Sequence, residues 1–247
     1  MITLLTDTYY LLRLPEFFEK LEKKIISRGY SPRNIELVIT ESQLMKIEQV
    51  FIVNIRKILE RVNQRLQMSR EKIKITELIK ILKDEALTIF LIALHIYLGV
   101  SADEILRIIS KDKKKSRKKI SRQDLKTLAG NLQRNLGEVL YKKESDRIGS
   151  TRLRAKIRRF LEDLLKRKEI ILSVRRVDVR DEEVKKLSSK FWKERCKKEC
   201  NKRPDSEDIK LALQFSRIMV QSKKIEILIQ EREKECLTCI ITYCKTF

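Results

Sequence analysis

Five cysteines, one histidine, a few clustered carboxylates and a dense set of lysines and arginines are the residues of this 247-residue chain whose types and spacing bear on chemistry. Cys196 and Cys200 stand four apart, and Cys236-Leu237-Thr238-Cys239 makes a CxxC followed by Cys244. On a helix the first pair shares a face, and four such thiolates are a donor set for zinc or an iron–sulfur cluster. Their company is apolar, with Trp192 before the first pair and Ile240, Ile241 and Tyr243 around the last thiols. That context favours ordinary buried thiols. A metal or cluster on Cys196, Cys200, Cys236 and Cys239, or a disulfide, are the alternatives, and no cofactor is expected. His95, the single histidine, lies in the most apolar run, residues 86–98, with no ligand-type neighbour. It reads as a core or interface residue, and its solitude removes most schemes that set an imidazole beside a nucleophile or metal. The five glycines never approach GxGxxG or GxxxxGK[ST] spacing, so no phosphate-cradling loop is present in the sequence. Asp178, Asp181, Glu182 and Glu183 cluster together. Nucleases hold divalent metals with such acids, and a helix N-terminus attracts them equally well through its dipole.

The strongest signal is charge: 57 Lys and Arg against 35 Asp and Glu, a formal net of +22. It is localised. Residues 1–100 hold 16 basic and 12 acidic groups, residues 101–204 hold 34 and 16, and residues 205–247 hold seven of each. A concentrated excess of this kind is the footprint of a surface that meets a polyanion, because each cation that neutralises a phosphate releases condensed counterions. The candidate contacts are Lys113, Lys114, Lys115, Arg117, Lys118 and Lys119 in a run without apolar residues, and Lys202 and Arg203 before Pro204. Between these lie Arg152, Arg154, Lys156, Arg158, Arg159, Lys166 and Arg167 on one helical pattern. The aromatics of this region, Tyr141, Phe160, Phe191 and Trp192, are few and lie largely on apolar stripes. Base-stacking platforms are therefore not indicated, and duplex DNA is favoured.

The expected function is that of a non-enzymatic nucleic-acid-binding protein. It would contact phosphates with low sequence specificity in replication, chromatin or another nucleoprotein assembly. One alternative is a scaffold subunit of a larger, replisome-like complex, its basic face meeting acidic protein partners. A second is a metal-dependent nuclease using Asp178 and Asp181.

Helices must position these groups. Five Gly and three Pro are too few for hairpin-rich β folds. Leu44, Ile47, Phe51, Ile55, Ile58, Val62 and Leu66 recur at spacings of three and four, as do Leu153, Ile157, Phe160, Leu161, Leu164 and Leu165. The expected fold class is all-α, with at most a short extended piece at residues 174–179 supplied by Val174, Val177 and Val179. Two helical units are expected, an apolar bundle over 1–110 and a basic domain with a neutral tail over 121–247, joined by a basic linker at 111–120. The N-terminal stretch has no basic n-region and carries Asp7, so it does not read as a secretory signal. The 13-residue apolar run is shorter than the roughly 20 residues a bilayer requires. An intracellular protein of the cytoplasm, nucleoid or nucleus is expected. It would have no membrane association, and its apolar helices would be available to a protein partner or a second copy.

Residues 182–215 resemble the end of a histone fold, a helix followed by a basic loop and a helix opened by acids. Lys202-Arg203-Pro204-Asp205-Ser206-Glu207-Asp208-Ile209 has that order. The resemblance implies pairing with another histone-fold surface and DNA contact at Lys202 and Arg203. Leu14-Pro15-Glu16-Phe17-Phe18 and residues 153–171 are similar to the helical domain of the GINS replication scaffold, without that family's small β domain.

Overall fold

The computed structural model of the protein describes residues 1–68, 72–82, 84–110, 119–141, 151–194, 200 and 204–245. The chain opens on strand β1 (Ile2–Thr6), then helices α1 (Thr8–Leu11) and α2 (Leu14–Lys24), then strand β2 (Ile35–Thr40) and the long helix α3 (Glu41–Met68). β3 (Lys72–Lys74), α4 (Ile75–Ile81), α5 (Asp84–Leu98), α6 (Ala102–Ile109) and β4 (Lys119–Ser121) follow. α7 (Arg122–Tyr141), α8 (Thr151–Arg167) and β5 (Ile171–Arg175) lead to α9 (Asp181–Glu194), α10 (Ser206–Val220), β6 (Ile225–Leu228) and α11 (Glu231–Lys245).

The all-α expectation is overturned by a four-stranded sheet of order β5-β2-β1-β6, in which every neighbouring pair is parallel. The protein is an α/β structure. Scarcity of Gly and Pro excludes hairpins, and it places no limit on parallel strands, whose connections are helical crossovers rather than tight turns. A strand covered on both faces also lacks the alternation that marks a half-exposed one. Ile2-Thr3-Leu4-Leu5-Thr6 and Ile35-Glu36-Leu37-Val38-Ile39-Thr40 are of that kind, apolar on both faces and almost wholly buried. The extended piece expected at 174–179 is the edge strand β5, which begins earlier, at Ile171, and ends at Arg175. β3 and β4 form a separate antiparallel pair.

Alternate strand residues feed two cores, as a period of two requires. Leu4, Leu37, Ile39 and Leu228 face a large cluster with Phe17 of α2, Phe51 of α3, Phe90 of α5, Leu128 of α7 and Phe160 of α8. Leu5 and Val38 point the other way, to a smaller cluster with Val184 and Leu187 of α9, Phe215 of α10 and Ile240 of α11. Strands from the 1–110 segment and from the 121–247 segment therefore share one sheet. α5 lies at the centre of the larger core, with residues 87–94 all buried. Gly99 ends it at φ 64, a left-handed conformation that glycine adopts without a Cβ penalty.

Candidate functional site

In an open parallel sheet the chain opens a crevice at the carboxyl ends of the strands where the direction of winding reverses. Here β1 steps to β2 and β2 to β5 on one side, and β5 then crosses back to β6 on the far side of β1. A crevice of about 600 Å³ lies at that end of the sheet. Its walls come from the β1 exit at Asp7 and Thr8, from the start of α3 and from α9, α10 and α11.

The floor is built by a buried polar network. Asp7 follows β1 directly and is 5% exposed. Its Oδ1 accepts the Tyr10 amide at 3.0 Å, capping α1, and its Oδ2 accepts the Gln230 amide at 2.9 Å, tying the β1 exit to the β6 exit. Gln43 of α3 donates from Nε2 to the Thr6 carbonyl at 2.7 Å and accepts the Thr40 amide on Oε1 at 2.9 Å. The Ser42 hydroxyl donates to Gln214 Oε1 at 2.9 Å, and Gln214 Nε2 donates to the Val177 carbonyl at 3.1 Å. Strand exits and two helices are thereby fixed to one another before any ligand enters. Across the mouth, Lys46 Nζ pairs with Glu207 at 3.0 Å.

Four carboxylates line this crevice, Asp7, Asp181, Glu207 and Asp208, against two ammonium groups, Lys46 and Lys210. Four acids less two lysines leaves a formal −2 inside a chain of +22. Asp181 and Glu207 lie in the first turns of α9 and α10, and Asp208 closes a capping box with Asp205, so the helix dipole accounts for each acid singly. Capping does not require that three helix starts and a strand exit converge on one opening. Among the described residues no three His, Cys, Asp or Glu side chains are grouped as a metal-ligand set. A magnesium-type ion takes fewer: one or two carboxylates, waters and substrate phosphates.

Of the two acids that sequence reasoning assigned to a nuclease, the structure brings one here. Asp178 is 82% exposed and paired with Arg176 at 3.2 Å, whereas Asp181 lines the crevice. Glu183 sits beside them, its carboxyl held below the usual carboxylate range by the Arg180 backbone N–H and by the Arg217 guanidinium. Asp7, Lys46, Glu207 and Asp208 were missed as site residues. The available signal was an acid placed immediately after a short apolar run, at the position a strand exit occupies.

The basic candidates divide. On α8, Arg154 turns inward and donates from Nε and Nη2 to Oε2 of the buried Glu48, both at 3.1 Å. Arg158 pairs with Glu162 at 2.7 Å, Arg167 with Asp103 at 3.4 Å, and the Lys156 ammonium lies 5.3 Å from the Tyr97 ring centre. Arg152, Arg159 and Lys166 are exposed and form no ion pair among the described residues. They are seven apart, hence on one face and about 10.5 Å apart along the axis. Lys119 is exposed in β4. Lys113, Lys114, Lys115, Arg117, Lys118, Lys202 and Arg203 lie outside the described residues.

Cysteines 200 and 236 are joined as a disulfide, so these two do not stand as thiolates for zinc or a cluster. Cys196 is outside the described residues; Cys239 is a half-buried thiol, and burial pushes the Cys244 thiol up to about 11. His95 serves the end of α5, its Nδ1 2.8 Å from the Val100 carbonyl and its Nε2 3.4 Å from Asp163. Among the described residues no helix is long and apolar enough to cross a membrane. No family model, curated protein or solved structure matches this chain.

Proposed function

We propose that the protein acts on nucleic acid, holding the phosphate backbone on its basic surface and hydrolysing phosphodiester bonds at the crevice with a divalent cation. The observation that carries this reading is the inversion of charge, a net-acidic crevice at the carboxyl end of the sheet in a strongly basic protein. A basic body draws in a polyanion. An acidic crevice then admits a phosphate only when a cation stands between the two. A divalent cation held there would supply that charge and would lower the pKa of a water for use as nucleophile. Asp7 is the residue held most firmly for such a role, since both carboxylate oxygens are oriented by backbone amides. Asp181, Glu207 and Asp208 line the same opening, together with Lys210 and with Lys46, which is paired with Glu207.

Non-enzymatic backbone binding, the expectation from composition, is the second reading. The seven-residue spacing of Arg152, Arg159 and Lys166 on the outer face of α8 favours it, and it needs nothing from the crevice. Both readings are tested by incubating labelled single-stranded RNA, single-stranded DNA and duplex DNA with the protein in magnesium, in manganese and in a chelator, beside Asp7→Asn. Cleavage that requires metal and disappears in the variant supports hydrolysis. Salt-sensitive binding without cleavage leaves the second reading, and the absence of both overturns the two together.

A further inference from the structure

The Cys200–Cys236 disulfide joins the segment between α9 and α10 to α11 across 36 residues. Those three helices make up the layer on the second face of the sheet, and the cluster that holds them is the smaller of the two cores. The same layer furnishes one wall of the crevice: Asp181 and Val184 from α9, Glu207 and Gln214 from α10, and Leu237, the residue after Cys236, from α11. A single covalent bond therefore crosses the part of the structure with the least apolar burial and closes a loop that contains most of that wall. The two residues differ in exposure: Cys200 is 3% exposed and Cys236 half-buried, so the bond is open to solvent from the Cys236 side.

We propose that this disulfide is a redox latch on the crevice, holding α11 to the connection between α9 and α10 within the wall when oxidised and loosening that wall when a dithiol reduces it. One thiolate of the dithiol attacks Cys236 Sγ. The bond to Cys200 breaks, and Cys200 leaves as a thiolate that takes up a proton. The second thiol of the reductant then displaces Cys236 from the mixed disulfide. The protein gains two electrons and two protons and the dithiol becomes a disulfide. A disulfide within reach of solvent is the kind that exchanges under cellular reductants, whereas a fully enclosed one is inert. The control of hydrolysis rests on the crevice being the reaction site, as proposed above; the release of the wall does not.

The experiment compares the full chain, oxidised and after dithiothreitol without denaturant, with the variants C200S and C239S. Alkylation and mass spectrometry report which thiols are released, hydrogen exchange reports the wall, and cleavage of labelled single-stranded RNA, single-stranded DNA and duplex DNA in magnesium and in manganese reports the crevice. The latch predicts that Cys200 and Cys236 are alkylated after reduction. It also predicts that amides of α11 exchange faster on the order of 100-fold, from the chain entropy one bond removes in such a loop, while α8 is unchanged. C200S should behave as the reduced protein in either condition, and C239S should respond as the wild type, which excludes a shift of the bond to Cys239. Cleavage should fall at least about 10-fold on reduction if exchange of the wall rises as stated. A disulfide that resists the dithiol until the protein unfolds, or reduction that leaves α11 protection unchanged, overturns the latch. A wall that loosens while neither state cleaves any of the three polymers supports the latch and refutes the hydrolase reading.

Discussion

Replacing Arg154 with Gln should be costly for reasons that have nothing to do with nucleic acid. Composition marks Arg154 as a phosphate contact, and the structure commits its Nε and Nη2 to a carboxylate of α3 that is 1% exposed. Forming such a pair offsets desolvation rather than adding much net stability, but removing one member of a buried pair costs more than the pair contributes. With Glu48 enclosed and Arg154 27% exposed, the loss should be about 3 kcal/mol, the lower end for a broken buried pair. For a chain of this size that lowers Tm by roughly 10 °C. Thermal unfolding of wild type, R154Q, E48Q and E48Q/R154Q gives the cycle. A double variant close to wild type, with each single variant well below it, is the expected pattern. A cost for R154Q under about 1 kcal/mol, the range of surface pairs, would refute the assignment of a buried pair.

Changing Arg152, Arg159 and Lys166 together to Gln should leave the fold intact and lower the slope of log affinity against log salt on duplex DNA by up to about 2.7, since each lost phosphate contact removes about 0.9. An unchanged slope would remove the outer face of α8 from the binding surface. Gln43→Ala should destabilise by about 2 kcal/mol, because it leaves the Thr6 carbonyl and Thr40 amide of two strand exits without their side-chain partner; chemical denaturation checks this. Burial pushes the Tyr97 phenol up to about 12 from the ordinary 10.0. The folded state thus keeps a proton that the unfolded chain loses, and the contribution of Tyr97, intact below pH 10, is lost as pH rises toward 12. Tyr97→Phe should remove that part of the alkaline loss, read from unfolding curves across the range.

The helices were readable because their stripes are long. Leu44 to Leu66 in α3 and Leu153 to Leu165 in α8 keep one period over several turns, and every residue of both stripes is buried. Of the sheet strands only part of β5 was, because each is four to six residues and the central two, β1 and β2, lack alternation. Ile225-Glu226-Ile227-Leu228 also follows α10 so closely that its apolar residues read as the tail of a helical pattern. Losing the strands meant losing the site. Asp7 has no motif around it, and only its place at the end of β1, opposite the β6 exit, gives it significance. The charge excess was plain in composition, yet which cations are spent internally was not. Arg154 and Arg159 look alike in sequence, and one faces Glu48 while the other faces water.

The pairing of β1 with β6 has a consequence for how the molecule comes into being. Leu4 is aligned with Glu226, so the central strand waits for a neighbour more than two hundred residues downstream. During synthesis β1 can join β2 early, while its other edge and the apolar side chain of Leu5 stay open until the chain through Leu228 has left the ribosome. Contacts of such sequence separation form late and slowly. The second bond of Asp7, to the Gln230 amide, is among the last to be made. A nascent chain therefore carries a complete basic helix α8 well before its crevice is assembled, and any capacity to grip nucleic acid precedes the capacity to act upon it.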